Sequence, residues 1–287
     1  MITRTIRTAL QALVLAAVVA PTPLLAASEA VHIDRQKWSF AGVTGTFDKA
    51  QLQRGYQIYK EVCAVCHAMK RISFRNLAQA GGPAFPEESV KALAASFKVE
   101  DGPDDNGKMF QRPGKLADPL PSPFKNEKEA RSIHNGAYPP DLSLIARARN
   151  VEYLGPWYLH PFSMVRDVVN GYQEGGADYL YALLTGYRNP PGNLKLADGM
   201  NFNAAFPGYQ IAMVPPLAKD NFIKYQADAG ATGSLEQNAR DVTAFLSWAA
   251  DPKHDERKRM GWKVLLYLLV TSVLLYFAKK RLWAKVH

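Results

Sequence analysis

Cysteine is scarce in this chain: its 287 residues hold two, Cys63 and Cys66. A zinc site with three or four thiolate ligands is therefore excluded. One built from two thiolates and two imidazoles lacks the closely spaced histidine pair that it needs. A basic face is lacking too. Of the 35 Lys and Arg, nine lie in residues 253–287 and two, Arg4 and Arg7, lie near the N-terminus, which leaves 24 basic residues against 24 acidic ones. The net charge of +9 thus belongs to the two ends. It gives no support to nucleic-acid binding, which wants basic residues on the folded domain. There is no internal repeat and no low-complexity tract, and long apolar runs are confined to the two ends.

What is present is Cys63-Ala64-Val65-Cys66-His67. C-x-x-C-H is the attachment signature of a c-type haem. Each thiol can form a thioether to a haem vinyl group, and the histidine after them is held under the ring, where its imidazole ligates iron. A bare C-x-x-C also occurs as a redox disulfide, but that motif follows a strand, and the residues before Cys63 read as a helix. The expected cofactor is one covalent haem c.

The N-terminal end reads as a secretory signal peptide. Arg4 and Arg7 precede the apolar run Ala12 to Ala20, and small residues follow at Ala26, Ala27, Ser28 and Ala30. This sets residues 1–27 as the signal, with cleavage between 26 and 30. The run is too short for an uncleaved span. Residues 28–252 are then the exported haem domain. The other end is a basic stretch from 253 and the apolar run Val264 to Ala278, 15 residues long. A bilayer needs about 20. Trp262, Lys263, Lys279, Lys280, Arg281 and Trp283 extend the run by snorkelling and interfacial packing, giving a transmembrane anchor at about 262–279. Leucines on every side argue against a helix lying flat in the interface. Basic residues flank the span on both sides, so orientation rests on the signal: a haem domain in the periplasm, membrane lipid around the anchor, and a short cytoplasmic tail.

Between these ends the pattern is mainly helical. Asp48 caps a helix whose Leu52, Tyr56 and Tyr59 share one face ending on the haem thiols. Gly55 permits close approach of another helix. Further helices are expected over Glu87–Phe97, Lys125–Asn135, Leu142–Arg149 with Asp141 as cap, Val165–Val169 and Asp178–Thr185. Val31 to Phe47 reads as irregular. Glu100, Asp101, Asp104 and Asp105 read as an acidic loop, either solvated surface or a docking patch for a basic partner. Residues 112–123 read as an ordered, proline-rich loop. Ser234-Leu235-Glu236-Gln237 is a capping box opening an amphipathic helix that Pro252 ends.

A haem held by His67 alone leaves a position open for catalysis, whereas a second strong ligand suits electron transfer. Met69 is too near His67 to cross to the other face. Met109, Met164, Met200, Met213, His32, His134 and His160 remain. Met213 is the best placed, because Pro215 and Pro216 stiffen the backbone behind it. A methionine that merely fills the core is the alternative.

Several blocks then carry a resemblance. They are Arg54 to Lys60 leading into Cys63–His67; Arg112 to Lys115; Asn135 to Ser143; Arg147-Ala148-Arg149; Leu184 to Tyr187; Phe206 to Gly208 through Met213 to Pro216; and Asp241 to Trp248 with His254 to Arg259 before the membrane. In this order they resemble the cytochrome c1 family, the haem c subunits of the bacterial cytochrome bc1 complex (ubiquinol–cytochrome c reductase). The resemblance implies a mainly α fold: a cytochrome c-like helical haem domain with long irregular loops, plus one C-terminal transmembrane helix. It implies Cys63 and Cys66 as thioether sites, His67 and Met213 as iron ligands, Pro139 and Pro140 lining the haem, and Arg149 on a propionate. It also implies cytochrome b and the Rieske iron–sulfur protein as partners, with a soluble or tethered cytochrome c as acceptor. The protein would be an electron-transfer subunit with no reaction of its own. The family pattern is more compact between Arg149 and Asp178 than this chain, where Trp157, His160 and Met164 intervene. The competing readings are a membrane-anchored haem c carrier for another reductase or oxidase, a haem peroxidase, and an assembly subunit with an incidental haem.

Overall fold

The computed structural model describes residues 31–284 apart from 152, 154, 170, 193, 218–222, 224 and 226–231. The expected signal peptide lies outside the described residues. The chain begins with an irregular segment whose Trp38 is buried, stacks on Phe40 at 5.4 Å and donates from Nε1 to the Asp178 carboxylate at 2.8 Å.

Helix α1, Lys49–Glu61, starts where Asp48 accepts from the Gln51 amide, which satisfies one of the free N–H groups of a first helical turn. Leu52, Tyr56 and Tyr59 are all buried, as their spacing predicts. Helix α2, Phe74–Ala78, and helix α3, Glu87–Ala95, come next. Strands β1, Lys98–Asp101, and β2, Phe110–Pro113, then form an antiparallel hairpin with Asp101 opposite Phe110. Half of the expected acidic loop is therefore strand. Arg112 pairs with Asp101 and makes a bidentate pair with Asp118 at 2.6 and 2.9 Å, while Asp104 accepts from the Asn106 and Lys108 amides. Two of the four carboxylates are thus committed to local structure.

Helix α4, Glu127–Ile133, is capped by Asn126. Asn135 and Gly136 then take positive φ of 51° and 88°. Glycine adopts this conformation without steric cost and so ends the helix. Helix α5, Ile145–Ala148, is shorter than the expected Leu142–Arg149. The cause is that the Leu142 amide donates to Ala68 and the Asp141 side chain holds the Ser143 amide, so these residues make other bonds. A single 3-10 turn, Trp157–Leu159, leads into helix α6, His160–Val169, which starts five residues before the expected one. Helix α7, Gly175–Thr185, also starts early, three residues before the expected Asp178, with two glycines in its first turn. Gly176 is there because α5 passes so closely that a Cβ would collide with the Ala146 carbonyl. A two-residue ladder joins β3, Asn201–Phe202, to β4, Gln210–Ile211.

Helix α8, Leu235–Ala250, is the centre of the core. Ser234 accepts from the Gln237 amide as the capping box predicts. The helix is not two-faced, however: 11 of its 16 residues are buried, Asn238, Asp241 and Thr243 among them. It packs against α1, α5 and α7 at once. Gly55 of α1 sits against the Asp241 carbonyl, and Tyr56, Tyr59 and Trp248 surround the Phe245 ring at 5.5–5.7 Å. The Arg54 guanidinium closes on the buried Asp241 carboxylate at 2.7 and 3.2 Å.

Helix α9, His254–Trp283, is 30 residues long, about 45 Å at 1.5 Å per residue. It takes in both the basic stretch and the apolar run, so the helix begins well before the expected span. Among the described residues it is the one helix long and apolar enough to cross a membrane. Its first turns are tied to the head: Lys258 Nζ donates to the Phe40 and Gly45 carbonyls at 2.8 and 3.0 Å.

Candidate haem site

Directly after α1, Cys63–Val65 makes one 3-10 turn, and the Cys66 and His67 amides both donate to the Cys63 carbonyl at 3.1 and 2.8 Å. Both thiols are unpaired and half-buried. Burial pushes the Cys63 thiol up to about 12, with the Cys66 thiol acting in the same direction. A reactive C-x-x-C dithiol lowers its pKa instead, the opposite of the direction at Cys63.

His67 is positioned from across the chain. Its Nδ1 lies 2.8 Å from the Pro140 carbonyl oxygen. A carbonyl only accepts, so Nδ1 carries the proton and Nε2 keeps its lone pair. Burial lowers the His67 pKa, and the bond to Pro140 opposes this. The imidazole is thus favoured in its neutral form, with Nε2 free to ligate.

The same two segments are joined at four successive levels. Beyond His67 and Pro140, the Lys70 amide donates to Asp141 Oδ2 at 3.0 Å, the Leu142 amide to the Ala68 carbonyl at 2.8 Å, and the Arg71 amide to Ser143 Oγ at 3.0 Å. Ser143 is fully buried. These ties assign the Asp141 carboxylate a different task from the helix cap expected of it.

Two buried polar atoms beside this cluster, Tyr59 Oη and His134 Nε2, have no hydrogen-bond partner among the described residues. Burial, then Cys63, Tyr56 and Asp141, raise the Tyr59 phenol, and His134 lies close enough to His67 to depress it. An unpaired buried polar atom costs about 1–3 kcal/mol. Such atoms next to two thiols and an oriented imidazole fit a site completed by a bound group. Apolar side chains left uncovered just before each of these two segments, Val65 and Tyr138, suit a large apolar ring.

Met213 and Arg149 are on other segments, and no hydrogen bond or ring contact joins either to His67 among the described residues. Met213 is half-buried just after β4. Its carbonyl accepts from Tyr187 Oη at 3.1 Å and Asn201 Nδ2 at 3.4 Å. Burial raises the Tyr187 phenol, and the Tyr179 phenol adds to this. Burial also raises Tyr179, and the Arg149 charge opposes it. Of these residues Tyr187 and Met213 are joined directly, through the Tyr187 hydroxyl. Pro139 is half-buried and Pro140 exposed. Sequence reasoning assigned no role to Tyr187 or Asn201; for Tyr187 the signal was its place in Thr185-Gly186-Tyr187, one of the blocks that carry the family resemblance.

Residues 38–286 match the Cytochrome C1 family. The chain belongs to that family. Cytochrome c1 of Blastochloris viridis is 45% identical over 252 residues, covering 88% of this chain and 86% of that protein. The cytochrome b/c1 of Bradyrhizobium diazoefficiens is 46% identical over 252 residues, which are 88% of this chain but 35% of that longer protein. The mitochondrial cytochrome b-c1 complex catalytic subunit of Candida albicans is 40% identical over 264 residues, 92% of this chain and 81% of that one. The resemblance carried by the sequence blocks is thereby confirmed. Its cofactor is haem c, which the donor set around Cys63–His67 fits, and the chain is an electron-transfer subunit of the cytochrome bc1 complex. With α9 it is a single-pass membrane protein.

Proposed function

We propose that this chain takes one electron from the Rieske iron–sulfur protein and passes it to a soluble or tethered cytochrome c, seated beside cytochrome b in a quinol–cytochrome c reductase. The observation that carries the reading is the neutral, oriented His67 imidazole directly after two unpaired thiols. In this reading Cys63 and Cys66 would hold the haem covalently, and His67 Nε2 and the Met213 thioether would ligate its iron. Pro139 and Pro140 line the ring, and the Arg149 fork meets a propionate. Covalently bound haem c supplies reversible one-electron exchange at iron, and a methionine ligand sets it at high potential.

The protein's part is rigidity and docking. The ties from 67–71 to 140–143 hold the imidazole. Tyr187 and Asn201 hold the backbone of Met213, and Pro215 and Pro216 stiffen the chain just after it. No side chain need move a proton, so turnover asks only that ligand positions stay fixed in both oxidation states. The haem domain stands on the periplasmic side, delivered by the signal at 1–27, and α9 keeps it beside its partners in the inner membrane.

A mild-detergent pull-down through a tag after His287, with optical and EPR spectra of the product, tests the assignment. A b-type haem and a Rieske signal should accompany the covalent c haem. A c haem that comes down intact and alone would make this a free-standing membrane cytochrome with another donor.

A further inference from the structure

Helix α6 is built the wrong way round for a helix packed on a protein core. Its outward side is apolar: Phe162 is 72% exposed and Val169 78%, and Val165 and Val168 lie on the same stripe. Its half-covered residues are the polar Ser163 and Asp167. No residue of the helix is buried. The turn leading into it adds Trp157, 85% exposed, and Tyr158. An apolar stripe of this size on an isolated segment marks a surface that something covers.

Where the helix ends says what covers it. The Tyr172 carbonyl, three residues past α6, accepts from the Gly42 amide at 2.9 Å, and the Gly171 carbonyl accepts from Arg35 Nη2 at 2.6 Å. Gly42 lies between Phe40 and Gly45, whose carbonyls hold Lys258 on the second turn of α9. One short segment therefore connects the end of α6 to the point where the spanning helix leaves the head. Four residues on from Lys258, Trp262 is exposed at the level expected of an interfacial aromatic. The C-terminal end of α6 thus lies near the point where α9 leaves the head.

We propose that α6 lies in the membrane–water interface beside α9, with Phe162, Val165, Val168 and Val169 in the acyl boundary and Ser163 and Asp167 toward the head domain. Trp157 and Tyr158 anchor its start at the headgroups. The partner is the lipid surface itself. Arg166 and Asp167 balance in charge, so apolar burial holds the helix and an anionic headgroup is not required. The helix would set the tilt of the haem domain above the membrane, a second support in addition to the α9 connection.

Site-directed spin labelling tests this in the intact, haem-loaded complex in nanodiscs of phosphatidylcholine. Val165→Cys and Asp167→Cys each place one nitroxide on opposite sides of α6. The parent chain, whose two thiols carry the haem, supplies the blank. The ratio of collisions with oxygen to collisions with a water-soluble nickel chelate should be several-fold higher at 165 than at 167. Phe162→Cys and Ser163→Cys should repeat the contrast. Equal ratios on both sides would show a solvated helix and overturn the proposal. Exclusion of both reagents at 165 would show a protein partner covering the stripe and overturn it as well.

Discussion

His67 Nδ1 and the Pro140 carbonyl oxygen stand 2.8 Å apart across 73 residues of chain. The bond fixes the tautomer and plane of the imidazole from a residue that has no N–H to donate elsewhere. Proline also restricts its own φ, so the carbonyl is held by a stiff Pro139-Pro140 backbone. With the bonds at Lys70, Ala68 and Arg71 it makes the haem turn part of a two-segment ladder rather than a free loop.

Replacing Met213 tests the proposed ligation apart from attachment. Met213→Leu should leave the haem covalently bound yet lower its midpoint potential by roughly 0.2 V, within the ~0.8 V that axial ligation spans. The reduced variant should also bind carbon monoxide, and the parent should not. An unchanged potential in a redox titration would remove Met213 from the iron.

Asp141→Ala deletes the acceptor for both the Lys70 and Ser143 amides. Two N–H groups lose their partner, at about 1–3 kcal/mol for each that stays buried. The melting temperature should fall while the haem remains attached. A melting curve superimposable on the parent's would mean that this ladder bears no part of the haem turn's stability.

Gly55→Ala places a methyl group into the Asp241 carbonyl and within 2.6 Å of Phe245 Cβ. Helices α1 and α8 must separate, at about 1–3 kcal/mol or more for an overpacked core. Asp241→Ala strips the buried partner from Arg54, whose own exposure is small, and removal of one member of such a pair costs about 3–5 kcal/mol. Chemical denaturation of the two variants should rank Asp241→Ala as the less stable. The reverse ranking would place the main α1–α8 contact at the glycine rather than at the ion pair.

Acid should loosen the β1–β2 hairpin. The Arg112 guanidinium, aided by the Lys115 amide, holds the Asp118 carboxyl down at about 2. An unfolded aspartate titrates near ~3.9. The folded form therefore binds fewer protons in this window, and the contribution is complete above about pH 4 and lost as pH falls toward 2. Asp118→Asn should flatten this limb of the stability curve. An identical acid limb in the variant would assign the loss to other carboxylates.

What was legible from the sequence is what is local. Cys63, Cys66 and His67 are adjacent, Asp48 caps the helix that it precedes, and Gly55 signalled the close approach that the Asp241 carbonyl makes. What escaped is non-local. The hairpin was hidden because its glutamate and aspartates read as loop, and the Arg112–Asp118 pair that closes it crosses a proline-rich stretch. Asn238, Asp241 and Thr243 look like the solvent side of a two-faced helix, yet three neighbouring helices bury them. The Leu142 amide bonds to Ala68, 74 positions earlier, and the Ser143 hydroxyl accepts from the Arg71 amide, a competition no local pattern records. Met213 could be nominated by the prolines after it, but the Tyr187 and Asn201 bonds to its carbonyl come from a helix end and a two-residue strand.

The most direct measurement is the rate at which quinol reduces this c haem in the purified complex, with the Rieske subunit present and then removed. The account predicts rapid reduction in the intact complex, loss of that reduction without the Rieske subunit, and rapid reoxidation on adding cytochrome c. Equal reduction rates with and without the Rieske subunit would contradict it and place the electron donor elsewhere.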